Sequence, residues 1–203
     1  MTHPFIKQAV FFPLAAMLVP ILASFVVPGY SSISQHLSEL EVLDHPVATI
    51  TRGAAIVSGA SIVLFGVGLL GASRRYAFTA LAAFVFGASM ISNGIFVMGS
   101  PLHGLYGIGI FMVLTPAFFA AEIHASEHSS SVKALSMTAT VLTMLYMWLM
   151  LSGLDPAAYR GLTQRLAIIP IFGWYSLAAY ALVRSHSASV SKPAQRVAAG
   201  VRG

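Results

Sequence analysis

Apolar residues run along this chain in six long blocks, each closed by a short polar stretch. The blocks are residues 9–28, 54–72, 78–98, 104–122, 132–151 and 166–183. About 20 apolar residues carry a helix across a hydrocarbon core. Lipid cannot satisfy backbone N–H and C=O groups, so such segments must be helical, and these are too long and too unalternating for barrel strands. The pattern predicts an all-α polytopic membrane bundle of six transmembrane helices. The first block is long enough to remain a span and not a cleaved leader.

The polar positions concentrate after the first block. Ser31, Ser32, Ser34, Gln35, His36, Ser38, Glu39, Glu41, Asp44 and His45 lie between two apolar spans, and three of the six carboxylates are among them. Within residues 31–43, Ile33, Leu37, Leu40 and Leu43 form a helical stripe. The expectation is a short amphipathic helix in the first outer loop, lying at the interface. Between the fifth and sixth blocks, Asp155-Pro156 has the form of a helix start. Dense glycines in the second, third and fourth blocks let helix backbones approach closely in lipid.

Composition narrows the class. The chain is 57% hydrophobic and 8% charged, against about 25% charged in a soluble domain, so it cannot cover a water-soluble surface. It has no cysteine, which removes thiolate chemistry and zinc–thiolate sites. A net charge of +5 in 203 residues would suit nucleic acid in a soluble protein. Here the basic residues sit at span ends and in the tail, and no aromatic–basic pattern occurs. Membrane lipids, not nucleic acid, are the expected partners. With the N-terminus inside, Lys7, Arg74, Arg75, Lys133, Arg184, Lys192, Arg196 and Arg202 face the cytoplasm. Arg52, Arg160 and Arg165 face outward. That bias predicts a multi-pass protein of the plasma (inner) membrane with both termini cytoplasmic. Residues 1–184 form the membrane domain, and 185–203 read as a disordered cytoplasmic tail.

Candidate chemistry gathers on the outer side. Ionisable groups near membrane depth are costly and mark sites. His36, Glu39, His103 and Asp155 are the acid–base candidates. Ser34, Gln35, Asn93, Gln164 and Arg165 are the ligand-binding ones. His103 is expected at the start of the fourth helix, and Glu39 is expected to pair with Arg165. Ser32 and His36 stand at i and i+4, a weak nucleophile–base signal without an oxyanion hole. On the inner side, His124 and His128 have metal-ligand spacing. They read better as a solvated helix end beside Glu122, so no metal and no cofactor is expected. Phosphate-binding glycine loops and zincin motifs are absent. Apart from Glu122 and Lys133 at their ends, the spans hold no Asp, Glu, Lys or Arg, which disfavours an ion-coupled transporter.

Three short runs carry a resemblance. Tyr30-Ser31, Ser34-Gln35 and Ser38-Glu39-Leu40 follow the first span. Ser100-Pro101-Leu102-His103-Gly104 opens the fourth, and Gly161-Leu162-Thr163-Gln164-Arg165 precedes the Trp174 span. This arrangement resembles the bacterial and archaeal membrane family named domain of unknown function 998. That family often has Gly-x-Pro where Asp44-His45-Pro46 stands here, and an Asp where this chain has Gly99 and Ser100. The resemblance implies a six-span integral membrane fold and implies no reaction. The leading functional expectation is binding of a lipid-like or small apolar molecule in an outward-facing polar-lined cavity. The alternatives are a membrane enzyme acting on a lipid or isoprenoid by acid–base chemistry, and a small transporter. Oligomeric state is not legible.

Overall fold

The computed structural model describes residues 3–123 and 129–200, with side chains described for 4–123 and 130–185. The His124–His128 pair therefore lies outside the described residues. Among the described residues all regular structure is helical. The α-helices are α1 (His3–Lys7), α2 (Phe12–Ser24), α3 (Val47–Ala72), α4 (Ala77–Ile95), α5 (Phe111–Glu122), α6 (Ser129–Leu151) and α7 (Arg160–Gly200). A 3₁₀ turn at Gln8–Val10 joins α1 to α2. Five helical stretches are long and apolar enough to cross a membrane: Pro4–Ser24, Val47–Ala72, Arg74–Ile95, Ser130–Leu151 and Arg160–Ser185. They mark the chain as a multi-pass membrane protein.

The fourth apolar block departs from expectation. Its α-helix is only α5, preceded by a 3₁₀ turn at Ile108–Ile110. Twelve α-helical residues reach about 18 Å, short of a 30 Å core. The break has a local cause. Gly104, Leu105, Tyr106 and Gly107 all take positive φ, at 73°, 48°, 55° and 86°, a single left-handed turn in which a right-handed helix cannot begin. Leu105 and Tyr106 each cost about 1–2 kcal/mol there. Hydroxyls of α4 hold the turn down, Ser92 Oγ donating to the Leu102 carbonyl at 2.6 Å and Ser89 Oγ to Gly104 at 3.1 Å.

The first loop also differs. The stripe at Ile33, Leu37, Leu40 and Leu43 is not one α-helix. Residues 31–36 are turns, and a 3₁₀ helix spans Leu37–Val42. Leu37 and Leu40 are buried while Ile33 is half exposed, so the segment packs down onto the bundle. Asp155-Pro156 does not start α7, which begins at Arg160. Asp155 instead accepts from Thr163 Oγ1 at 2.8 Å.

The centre of the bundle is aromatic. Trp174 and Tyr175 of α7 sit edge to face with Phe65 of α3, at 6.2 and 5.6 Å between ring centroids. Trp174 also meets Phe119 of α5 at 5.5 Å, and its indole N–H donates to Ser136 of α6 at 2.9 Å. One pair of neighbouring residues thus ties four helices, with ring geometry that favours edge contacts. At one end Glu122 caps α4, its carboxylate accepting from the Phe78 and Thr79 amides at 3.0 and 3.2 Å. At the other end Arg52 donates to the last carbonyls of α4, Gly94 and Ile95. Each charge lies at the pole of the helix dipole that favours it.

The α3–α4 crossing is set by glycine. A Cβ on Gly59 would lie 2.5 Å from the Gly87 carbonyl, and one on Gly87 would lie 2.8 Å from the Gly59 carbonyl and 2.7 Å from Val63 Cγ2. We expect Gly87→Val to lower stability by about 1–3 kcal/mol through overpacking, read as a lower midpoint in detergent thermal unfolding. Gly53→Ala, where a Cβ meets nothing within 4 Å, should leave the midpoint unchanged.

Candidate functional site

Two constructions occupy the loop end of the bundle. The first is a joint between the loop after α2 and the start of α7. Arg165 is buried, 8% exposed. Its Nη1 donates to the carbonyls of Gln35 and Gly161 at 3.1 and 2.9 Å, and its Nη2 to Ser24 Oγ and Tyr30 Oη at 3.2 and 2.9 Å. All four acceptors are uncharged. Tyr30 Oη in turn donates to the Gln35 and His36 carbonyls, and burial pushes its hydroxyl pKa up. Gln164 Oε1 accepts from the Leu37 amide at 2.6 Å, and the Leu162 amide donates to the Ile33 carbonyl at 2.9 Å. Gly161 makes the approach feasible, since a Cβ there would strike the Gln35 carbonyl and lie 2.8 Å from that of Ser32.

The loop's carboxylate belongs to this joint, but not as the sequence suggests. Glu39 pairs with Arg160 at 3.2 Å, not with Arg165. It also accepts from the His36 amide at 2.8 Å and from Gln35 Nε2 at 3.2 Å. Arg160 Nε donates to the Ser34 carbonyl at 2.9 Å. The Ser32 hydroxyl bonds to Ser24 Oγ at 2.8 Å, and the segment joining it to His36 is not helical, so the i, i+4 geometry does not arise.

The second construction is a cavity of about 450 Å³ beneath this loop, a size in the range of small-molecule sites. Its walls are mostly apolar, with Met17, Met90, Met112, Met147 and Met150 among them. His36, Asn93, His103 and Gln164 line it. Glu39, Asp155, Ser34, Gln35 and Arg165 are not among its lining residues. The nine candidates therefore divide, four at the cavity, four in the joint, and Asp155 on the α7 turn.

The cavity contains a group that sequence reasoning passed over. A 3₁₀ helix has three residues per turn, so i and i+3 eclipse. Over Leu37–Val42, Leu37 and Leu40 share the buried edge, and Ser38 and Glu41 share an edge that lines the cavity, where Leu37 also reaches. Glu41 is 7% exposed, and its Oε2 is buried without a hydrogen-bond partner. Burial lifts its carboxyl pKa from an ordinary 4.5 to about 7, against opposing effects of the Met98 backbone and the Arg52 charge. An α-helical stripe places Glu41 among solvated polar residues. Three-residue spacing would have found it.

His103 lies opposite. It sits in the turns before the left-handed segment, five residues ahead of the first helical turn at Ile108. Its Nδ1 is 2.9 Å from the Phe96 carbonyl, the distance of a donated hydrogen bond, and 3.6 Å from Glu41 Oε2, which is charge proximity and not a hydrogen bond. Asn93 Oδ1 is a second buried acceptor without a partner. His36 is held neutral near pH 7, because burial and then the Arg160 charge push its pKa down.

The family described as Protein of unknown function (DUF998) matches this chain over residues 10–181. No curated protein and no solved structure matches it. The matched region spans both constructions.

Two outcomes test this geometry. Arg165→Met should leave its acceptors unpaired, lower stability by about 2–4 kcal/mol, and speed proteolytic cleavage within residues 29–46. Arg165→Lys should recover only part of the loss. Separately, between pH 4.5 and 7 the folded protein holds a proton on Glu41 that the unfolded chain releases. This group's contribution to stability is therefore full below pH 4.5 and is lost as pH rises to about 7. Thermal melts of Glu41→Gln against the parent should show that component of the slope removed.

Proposed function

The chain belongs to the family described as Protein of unknown function (DUF998), and from that premise we propose that it is a six-pass protein of a prokaryotic plasma membrane that holds a lipid-like molecule beneath its first loop. In this reading both termini are cytoplasmic, as the distribution of Lys and Arg favours. The fourth pass is completed by the irregular backbone ahead of α5. Non-helical backbone is tolerated at membrane depth where it lines a cavity, and Gly104, Gly107 and Gly109 line this one.

The observation that carries the reading is the cavity itself. It combines a long apolar wall with a small polar end, the division an amphiphile requires. Methionines are frequent on that wall, and their flexible, polarisable side chains adapt to chains of varied shape. The joint at Arg165 holds the loop in place above it, with His36, Leu37, Ser38 and Glu41 as the underside of the lid.

A second reading rests on the Glu41–His103 pair. A carboxyl with a pKa near neutrality beside an imidazole is the pairing used for proton transfer. In that reading the chain is an enzyme on a lipid or isoprenoid. His103 and Glu41 carry the acid–base work, with His36 near, and Glu39 and Asp155 in supporting positions.

Mass spectrometry of the protein extracted in mild detergent should reveal a copurified amphiphile. Ala55 is 4% exposed and lines the cavity, so Ala55→Phe should abolish that species while the protein remains folded. Equal occupancy in both proteins would remove the cavity from consideration. Under the enzymatic reading, His103→Ala would retain the bound molecule and lose its turnover.

A further inference from the structure

Glu41 Oε2 and Asn93 Oδ1 are both sealed from bulk water and both without a donor, on residues that line the same cavity. A buried acceptor left unpaired forfeits the hydrogen bond it had in water, and two in one place call for a common explanation. Three donors on neighbouring residues are already engaged. His103 Nδ1 is directed to the Phe96 carbonyl at 2.9 Å and stands 3.6 Å from Glu41 Oε2. Asn93 Nδ2 turns to the Met90 sulfur at 3.7 Å. Ser89 Oγ, the hydroxyl one helical turn from Asn93, is committed to the Gly104 carbonyl.

We propose that the polar end of the cavity receives the hydroxyl head group of a long-chain alcohol, its single proton donated to Asn93 Oδ1 and its oxygen beside the Glu41 carboxyl. This rests on the reading of the cavity as an amphiphile site and specifies the head group that site takes. A carboxylate or phosphate would carry charge into a mostly apolar cavity and bring no proton for Asn93 Oδ1. An ammonium would find little net charge to meet, because burial favours the neutral form of Glu41 and the Arg52 cation already acts on it. A hydroxyl supplies a donor without a charge. It also has lone pairs free to accept from the Glu41 carboxyl, whose burial favours the protonated form.

The test uses the full chain in lipid nanodiscs and four probes of equal length: dodecanol, dodecyl methyl ether, dodecanoate and dodecylammonium. Thermal stabilisation at graded concentrations gives an apparent affinity for each. Dodecanol should bind about tenfold more tightly than the ether, the loss expected for one good hydrogen bond. The two charged probes should bind more weakly than the alcohol. Asn93→Leu should bring the alcohol down to the affinity of the ether and leave the ether unchanged. Equal binding of alcohol and ether to the unmodified chain overturns the head-group assignment while the cavity reading stands. Tightest binding of dodecanoate or dodecylammonium overturns it in favour of a charged head. Binding of none of the four overturns both.

Discussion

A single buried guanidinium organises the loop end of this protein. Arg165 lies within α7 and donates to the loop, to the end of α2 and to its own helix, always to uncharged oxygens. A charge in such a setting is costly unless it is hydrogen-bonded, and here both terminal nitrogens make two bonds each. That requirement fixes the loop's path: the Gln35 carbonyl and the Tyr30 hydroxyl must face α7. Gly161 leaves room for that carbonyl, and Gln164 and Leu162 add contacts on either side. The three short runs that carry the family resemblance acquire a physical meaning here. The first and third are the two halves of one joint, and the second supplies the opposite wall of the cavity it covers.

With the loop pinned, the cavity is a consequence of irregular backbone. Helices of full length would pack their small residues together and close the interior, as Gly59 and Gly87 do between α3 and α4. The left-handed turn at Gly104–Gly107 prevents this by starting the fourth helix late, so that Gly104, Gly107 and Gly109 border part of the space. Strain retained in such a place usually accompanies function. Ser89 and Ser92 hold the strained stretch through its carbonyls and keep α4 continuous behind it.

The architecture was legible in the periodic and apolar runs, because span length follows from bilayer thickness whatever the partners are. Five of the six blocks became long helices with ends shifted by several residues. The fourth did not, because the φ values of Leu105 and Tyr106 are a tertiary outcome that their identities do not announce. The candidate residues were legible as polar exceptions in an apolar chain, but their grouping was not. Glu39 and Arg165 looked like natural partners by charge. Arg160, five residues earlier, took the carboxylate, and the neutral oxygens took Arg165. Glu41 was hidden by the choice of period: a 3.6-residue stripe sets it beside solvent, a three-residue one sets it beside Ser38.

The fate of three cations has a bearing on how the molecule looks from the surrounding bilayer. Arg52 is turned onto the last carbonyls of α4, Arg160 onto Glu39 and Ser34, and Arg165 is submerged altogether. Side chains that count as positive in the primary structure thus have their charge directed inward at this end. Three cations at this end are committed to partners within the fold, whereas Lys7, Arg74, Arg75 and Lys133 lie toward the far end of the helices. The folded molecule is electrically more lopsided along the bundle than its residue tally.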